Sequence, residues 1–225
     1  MPLKIIIMGA TGMVGKGVLL YCLEDKDVSH VLCIARSPLG LSHPKLKTVI
    51  HHDFFDFSPL EGKLERYSAC FFCLGVSSAG MNEAEYSRIT YDLTIGFAAY
   101  LRKASPNAVF CYVSGEGTDS TEKGGTMWAR VKGKTENAIL RMGFRDAYMF
   151  RPGFIKALRG AKSKTKLYAF FYALFKPFFP LIMLSRKFAT DTDRMAKAMV
   201  RVTVKPREKK LLNTFEINLI TAERE

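Results

Sequence analysis

The stretch "LKIIIMGATGMVGKGVLLYCLED", residues 3–25, decides the fold. After Lys4 it is apolar on consecutive residues as far as Met8, the pattern of a strand covered on both faces. Gly9, Gly12 and Gly15 follow directly, and "GMVGKGVLLYCLED" then has the alternation of an amphipathic helix. Glycines at this spacing permit a tight strand-to-helix turn and a close approach of backbone N–H groups to a diphosphate. The amino terminus of the helix adds its partial positive charge. Thr11, Met13 and Val14 belong to the same turn. Glycines alone would also suit a plain strand-to-helix turn, but their place after the first strand points to nucleotide binding.

The same grammar continues along the chain. Strands are expected at "HVLCIAR", "KTVIHH", "ACFFCLG", "NAVFCYVSG" and "DAYMFRPG", with helical stretches between most of them and no internal repeat. Alternating strands and helices of this kind predict an α/β protein with a doubly wound parallel sheet. The expected division is a dinucleotide-binding core over 1–155, then a small helical substrate-side segment and tail over 156–225, within one folded unit. A helix is expected near "TDTDRMAKAMVRV".

Composition agrees with a globular chain of 225 residues, 48% hydrophobic and 24% charged, and excludes a disordered protein. The net charge of +13 is uneven: residues 156–187 carry eight basic and no acidic side chains. Cys22, Cys33, Cys70, Cys73 and Cys111 are odd in number and mostly lie in apolar runs, which suits buried thiols in a reducing compartment. "CFFC" resembles a metal or redox pair, but in a strand positions i and i+3 face opposite ways. The amino terminus runs straight into a strand, leaving no room for a secretory signal. The expected compartment is the cytosol, with a peripheral place at a membrane as an extension of that reading.

The end of the second strand bears on the cofactor. An acidic residue there would hold the ribose 2′-hydroxyl of NAD, whereas "CIARSP" offers Arg36 and Ser37, which suit a 2′-phosphate. NADP(H) is therefore favoured over NAD(H), unless Arg36 is only a solvated loop residue. Asp53, at the end of the third strand, is placed to meet the adenine or to cap a turn. His51 and His52 have no partner at metal-ligand spacing and read as strand-end residues.

"GATGMVG", "HDFFDF", "FFCLGVSSAG", "YVSGEG", "WARVKGKTE" and "RPGFI" occur in this order. Together they resemble the atypical or extended short-chain dehydrogenase/reductases, in particular a Tat-interactive-protein oxidoreductase-like branch related to nucleoside-diphosphate-sugar epimerases. The resemblance covers residues 3 to about 155 and fades beyond. It implies an NAD(P)-binding Rossmann fold, with Phe54, Leu74, Gly75, Pro152 and Gly153 added to the cofactor contacts. It also implies a Ser, Tyr and Lys catalytic set. By residue, the serine is Ser114 and the lysine, which binds the nicotinamide ribose, is Lys132; the tyrosine position holds Trp128.

An indole N–H donates a hydrogen bond but does not ionise in the useful range. Trp128 would stack beside the nicotinamide, wall the substrate pocket, or serve as a core aromatic; Lys132 could also be a solvated helix lysine. Tyr86 and Tyr91 are candidate substitute acids. The expected function is an oxidoreductase or epimerase-like activity on a carbonyl or hydroxyl compound. The alternative is an NADP(H)-binding sensor or scaffold without turnover.

The basic aromatic segment 162–187 reads either as a lid over the cleft, with a homodimer contact, or as an interfacial helix on anionic lipid. Lys176, Pro177 and Pro180 interrupt its apolar run and argue against a spanning helix. Its basic residues follow no nucleic-acid-reading motif, so a small-molecule substrate is the expected partner rather than nucleic acid.

Overall fold

Apolar runs with no polar alternation must be covered on both sides, and the computed structural model shows how. It describes residues 2–161 and 187–223. β1 (Leu3–Met8) leads into α1 (Met13–Glu24), then β2 (Val28–Ala35), β3 (Leu46–Ile50) and β4 (Ala69–Phe72). α2 (Glu83–Ser87) passes through a π-turn at Arg88–Asp92 into α3 (Leu93–Ala104). β5 (Val109–Val113), α4 (Met127–Arg141) and β6 (Asp146–Arg151) complete the regular alternation. The chain then forms β7 (Phe154–Lys156), β8 (Ala189–Asp191), α5 (Thr192–Val204), β9 (Leu211–Asn213) and α6 (Thr214–Ala222).

The main sheet is parallel throughout, in the order β3-β2-β1-β4-β5-β6-β9. All six strands expected from sequence form. Strand pleating sorts their side chains between two layers. Ile5, Ile7, Val31, Cys33, Phe71 and Cys111 pack with Val18 and Leu19 of α1 and Met195 and Met199 of α5. Ile6, Met8, Leu32, Ile34, Phe72 and Phe110 pack with Phe97 and Leu101 of α3 and Ile139 of α4. Cys70 lies in the second layer and Cys73 packs against the first, so the two cysteines of "CFFC" are separated by the sheet. All five cysteines are free thiols, and burial pushes those of Cys33 and Cys73 up to about 12.

The expected helix near residue 190 is α5, and it sits against α1. Gly17 makes this contact: a Cβ there would stand 2.4 Å from the Cβ of Thr192. Residues beyond 155 also supply β9, the edge strand of the main sheet. The carboxy-terminal region therefore extends the core as well as following it. β7 and β8 form a separate parallel pair beside the sheet. The lid and membrane readings of 162–187 fall almost wholly outside the described residues. Among the described residues no helix is long and apolar enough to cross a membrane.

Candidate cofactor and active site

In a sheet of this order the strand sequence reverses between β1 and β4, and the crevice outside their carboxyl ends is where ligands bind such folds. Gly9 closes β1 there with φ at +84°, and a Cβ on it would lie 2.8 Å from the Cys73 carbonyl and the Leu74 nitrogen. A Cβ on Gly15 would lie 2.2 Å from the carbonyl oxygen of Gly9. Between them Gly12 caps α1 with backbone alone: no side chain accepts from the first turn, and the first turn carries no acidic residue. A helix amino terminus with uncapped N–H groups is an anion site. Thr11 is exposed, and Met13 and Val14 are half-buried beside it.

Arg36 and Ser37 stand exposed just past β2. Asp53 is exposed as well, and its Oδ1 accepts from the Phe55 N–H at 2.8 Å, so its carboxylate caps a turn. The Phe54 ring is buried in the second core layer and stacks on His51 at 5.9 Å. His51 meets the Asp56 carbonyl oxygen at 2.8 Å, a strand-end role. Leu74 packs on the core and Gly75 is exposed. Among the described residues no group of three His, Cys, Asp or Glu side chains is placed to hold a metal.

The second half of the site lies at the carboxyl ends of β5 and β6, against α4. Lys132, half-buried, donates from Nζ to the carbonyl oxygen of Ser114. The Trp128 ring lies one turn earlier, its centroid 6.0 Å from that ammonium, at the limit of a cation–π contact. Burial pushes the Lys132 ammonium down to about 8, outweighing the opposing pull of Glu136. The Ser114 hydroxyl turns inward: it donates to Glu136, with the Phe150 carbonyl oxygen 3.2 Å away.

Glu136 was not singled out in the sequence, although it stands four residues after Lys132, a spacing that puts both on one helix face. Its side chain is fully buried and receives Arg151 of β6 through Nε, at 3.0 and 3.1 Å, and through Nη2. The same guanidinium reaches Ser120. A buried carboxylate survives only when paired and hydrogen-bonded, and Arg151 with Ser114 meets both needs. The Pro152 carbonyl oxygen accepts from the Glu116 N–H at 2.9 Å, and the Gly153 N–H donates to Thr214 Oγ1 at 2.8 Å. These bonds join the ends of β5, β6 and β9.

The loop from Gly115 to Thr126 is held by Asp119. Its carboxylate accepts from the Thr121 N–H and hydroxyl, the Lys123 N–H and the Gly124 N–H, which lowers its pKa to about 2. Arg130 ties the loop to α2, bonding Gly124 O and Glu83, each at 2.6 Å. Past this loop a cavity of about 400 Å³ opens between Glu116, Gly153, Lys187, Phe188 and Phe215.

Tyr86 and Tyr91 have other surroundings. Tyr86 is buried, with its phenol pushed up by burial, and Tyr91 lies under Lys134, 4.5 Å from ring centroid to Nζ. Lys134 is two residues from Lys132, hence on a different face of α4.

No protein-family model matches the chain. Among curated proteins it is similar to the mitochondrial protein fmp52 of Aspergillus niger, 27% identical over 214 residues, which cover 90% of this chain and 87% of that one. It is likewise similar to mitochondrial fmp52 of Emericella nidulans, 27% identical over 76% of this chain and 74% of that one. Among solved structures it is similar to ADP-L-glycero-D-manno-heptose-6-epimerase of Helicobacter pylori, with a TM-score of 0.68 and 15% identity over 94% of this chain and 76% of that one. It is also similar to WbmG of Bordetella bronchiseptica in complex with NAD, with a TM-score of 0.68 and 13% identity over 95% and 72%. The fold is the Rossmann-like α/β fold of those proteins. The cytosolic expectation is corrected by the relatives, which are mitochondrial proteins by name. Buried thiols suit any reducing compartment.

Proposed function

We propose that the chain binds NADP(H) and acts as an oxidoreductase or epimerase-like enzyme on a carbonyl or hydroxyl compound. It would belong to the short-chain dehydrogenase/reductases, in their Tat-interactive-protein oxidoreductase-like branch. The observation that carries this reading is the glycine turn at the β1–β4 reversal, which closes only because Cβ atoms on Gly9 or Gly15 are absent: they would collide with the backbone of Cys73 and Leu74 or of Gly9, beside an uncapped helix terminus. A dinucleotide would lie along that turn, with the backbone N–H groups at Gly12, Met13 and Val14 holding the diphosphate. Arg36 and Ser37 would hold the 2′-phosphate, and Lys132 the nicotinamide ribose. When bound, the nicotinamide gives or takes a hydride. The cavity beyond Glu116 and Gly153 would take the substrate, whose apolar part would meet Phe188 and Phe215, both substantially exposed.

A second reading, cofactor binding without turnover, is favoured by one feature. Trp128 stands where the resemblance expects an ionisable tyrosine, and the Ser114 hydroxyl is committed to Glu136. Calorimetric titration with NADPH and NADH tests the cofactor claim. Saturable binding that Gly15→Ala abolishes supports it; heat-silent titrations with both cofactors would refute it.

A further inference from the structure

We propose that Lys132 is itself the proton donor and acceptor of the site, the role that a tyrosine on this helix would otherwise fill. This rests on the cofactor reading above and deepens it. The Lys132 Nζ is tethered to the Ser114 carbonyl oxygen, which uses one of three N–H groups and leaves two. Gly115, with φ at +141°, presents no side chain there; a Cβ would come within 3.9 Å of Nζ. The next residue, Glu116, lines the substrate-sized cavity. Nζ thus lies against Gly115, the residue that precedes the cavity-lining Glu116 in the chain.

The neighbouring groups are poorly suited to the task. Trp128 has no ionisable proton in the useful range, and the Ser114 proton is directed to Glu136. Tyr112 of β5 is fully buried with its phenol pushed up by burial. Glu136 is locked to Arg151. Of the charged groups facing Lys132, Glu136 on its own helix raises its proton affinity. Arg151 on β6 pairs with that carboxylate, and Glu116 in the adjoining loop is exposed. Burial wins, and the ammonium comes down to about 8, close to the pH at which a general acid works best.

The step balances. When bound, the reduced nicotinamide would supply a hydride to the carbonyl carbon and become the oxidised form, with the C=O π pair moving onto oxygen. One Lys132 N–H bond breaks as the O–H bond forms, leaving a neutral amine that regains a proton from water. In the reverse direction the amine takes the alcohol proton.

The test has two arms on the full chain. Competitive acetylation across pH, read by peptide mass spectrometry on the apo protein, should show Lys132 becoming reactive with a midpoint near 8, well below an ordinary lysine at about 10.4. NADPH oxidation with a panel of aliphatic and aromatic aldehydes should fall as pH rises through that same midpoint. Lys132→Arg keeps the cation but holds its proton; at saturating NADPH it should lose about 10²- to 10⁴-fold in turnover. The proposal is overturned if NADPH binds but Lys132 labels with an ordinary midpoint, if Lys132→Arg keeps the wild-type rate, or if no aldehyde is reduced. Failure to bind NADPH would instead overturn the cofactor reading beneath it.

Discussion

Gly133 lies directly beneath Asp119: a Cβ at residue 133 would sit 1.7 Å from the Asp119 carbonyl oxygen. Helix α4 can approach the 115–126 loop only because nothing projects there, and the Asp119 N–H donates to Ala129 O at 3.1 Å across the same contact. Gly133→Ala should therefore push the loop off the helix and cost about 1–3 kcal/mol, as overpacking does. Urea unfolding and limited proteolysis at 119–124 would report it. Gly125→Ala, where a Cβ meets nothing within 4 Å, is the control and should be close to neutral.

The Glu136–Arg151 pair predicts a different signature. Arg151→Met strands a fully buried carboxylate and should cost about 3–5 kcal/mol. Adding Glu136→Gln should recover part of that loss, because the stranded charge is gone. A double-mutant cycle in urea would measure the coupling; additive losses would mean the pair is not energetically linked.

Lys132 predicts the sign of a pH effect on stability. Its folded pKa, about 8, lies below the unfolded value of about 10.4. Between the two, the unfolded chain binds the extra proton, so stability rises with pH across that window. Below 8 both states are protonated and the full cost of the buried cation is present. Wild type should gain on Lys132→Met between these two pH values and run parallel to it below them, as followed by thermal unfolding.

Arg36 predicts cofactor choice. If its exposed guanidinium meets the 2′-phosphate, NADPH binds more tightly than NADH, and Arg36→Ala removes about 1.5–3 kcal/mol of that preference. Equal affinities for the two cofactors in the unmutated protein would contradict the assignment.

Much of this architecture is legible in the sequence because a parallel sheet covered on both faces leaves unbroken apolar runs, as in Ile5 to Met8 and Val109 to Val113. β9 escapes that logic: three residues, "LLN", after a charged stretch carry no period. The glycine turn is readable from its spacing between strand and helix, and Trp128 and Lys132 share a helix face by theirs, but a site role for those two comes only from the family resemblance. Glu136 was within reach by the same i, i+4 rule, but its meaning depends on Arg151, fifteen residues away on strand β6. Asp119 and Gly133 make a contact between loop and helix that no local pattern records. Even the inward turn of the Ser114 hydroxyl follows from where Glu136 is buried rather than from the strand that carries Ser114.

The central claim, a dinucleotide lying along the glycine cradle with its nicotinamide end at Lys132, can be read through Trp128, the only tryptophan in the chain. Exciting Trp128 during an NADPH titration should quench its emission saturably and sensitise emission from the reduced nicotinamide. Both signals should vanish in Gly15→Ala, whose Cβ would lie 2.2 Å from the Gly9 carbonyl oxygen. A flat response to NADPH and NADH up to about 1 mM, the upper end of ordinary enzyme affinities, would contradict the account.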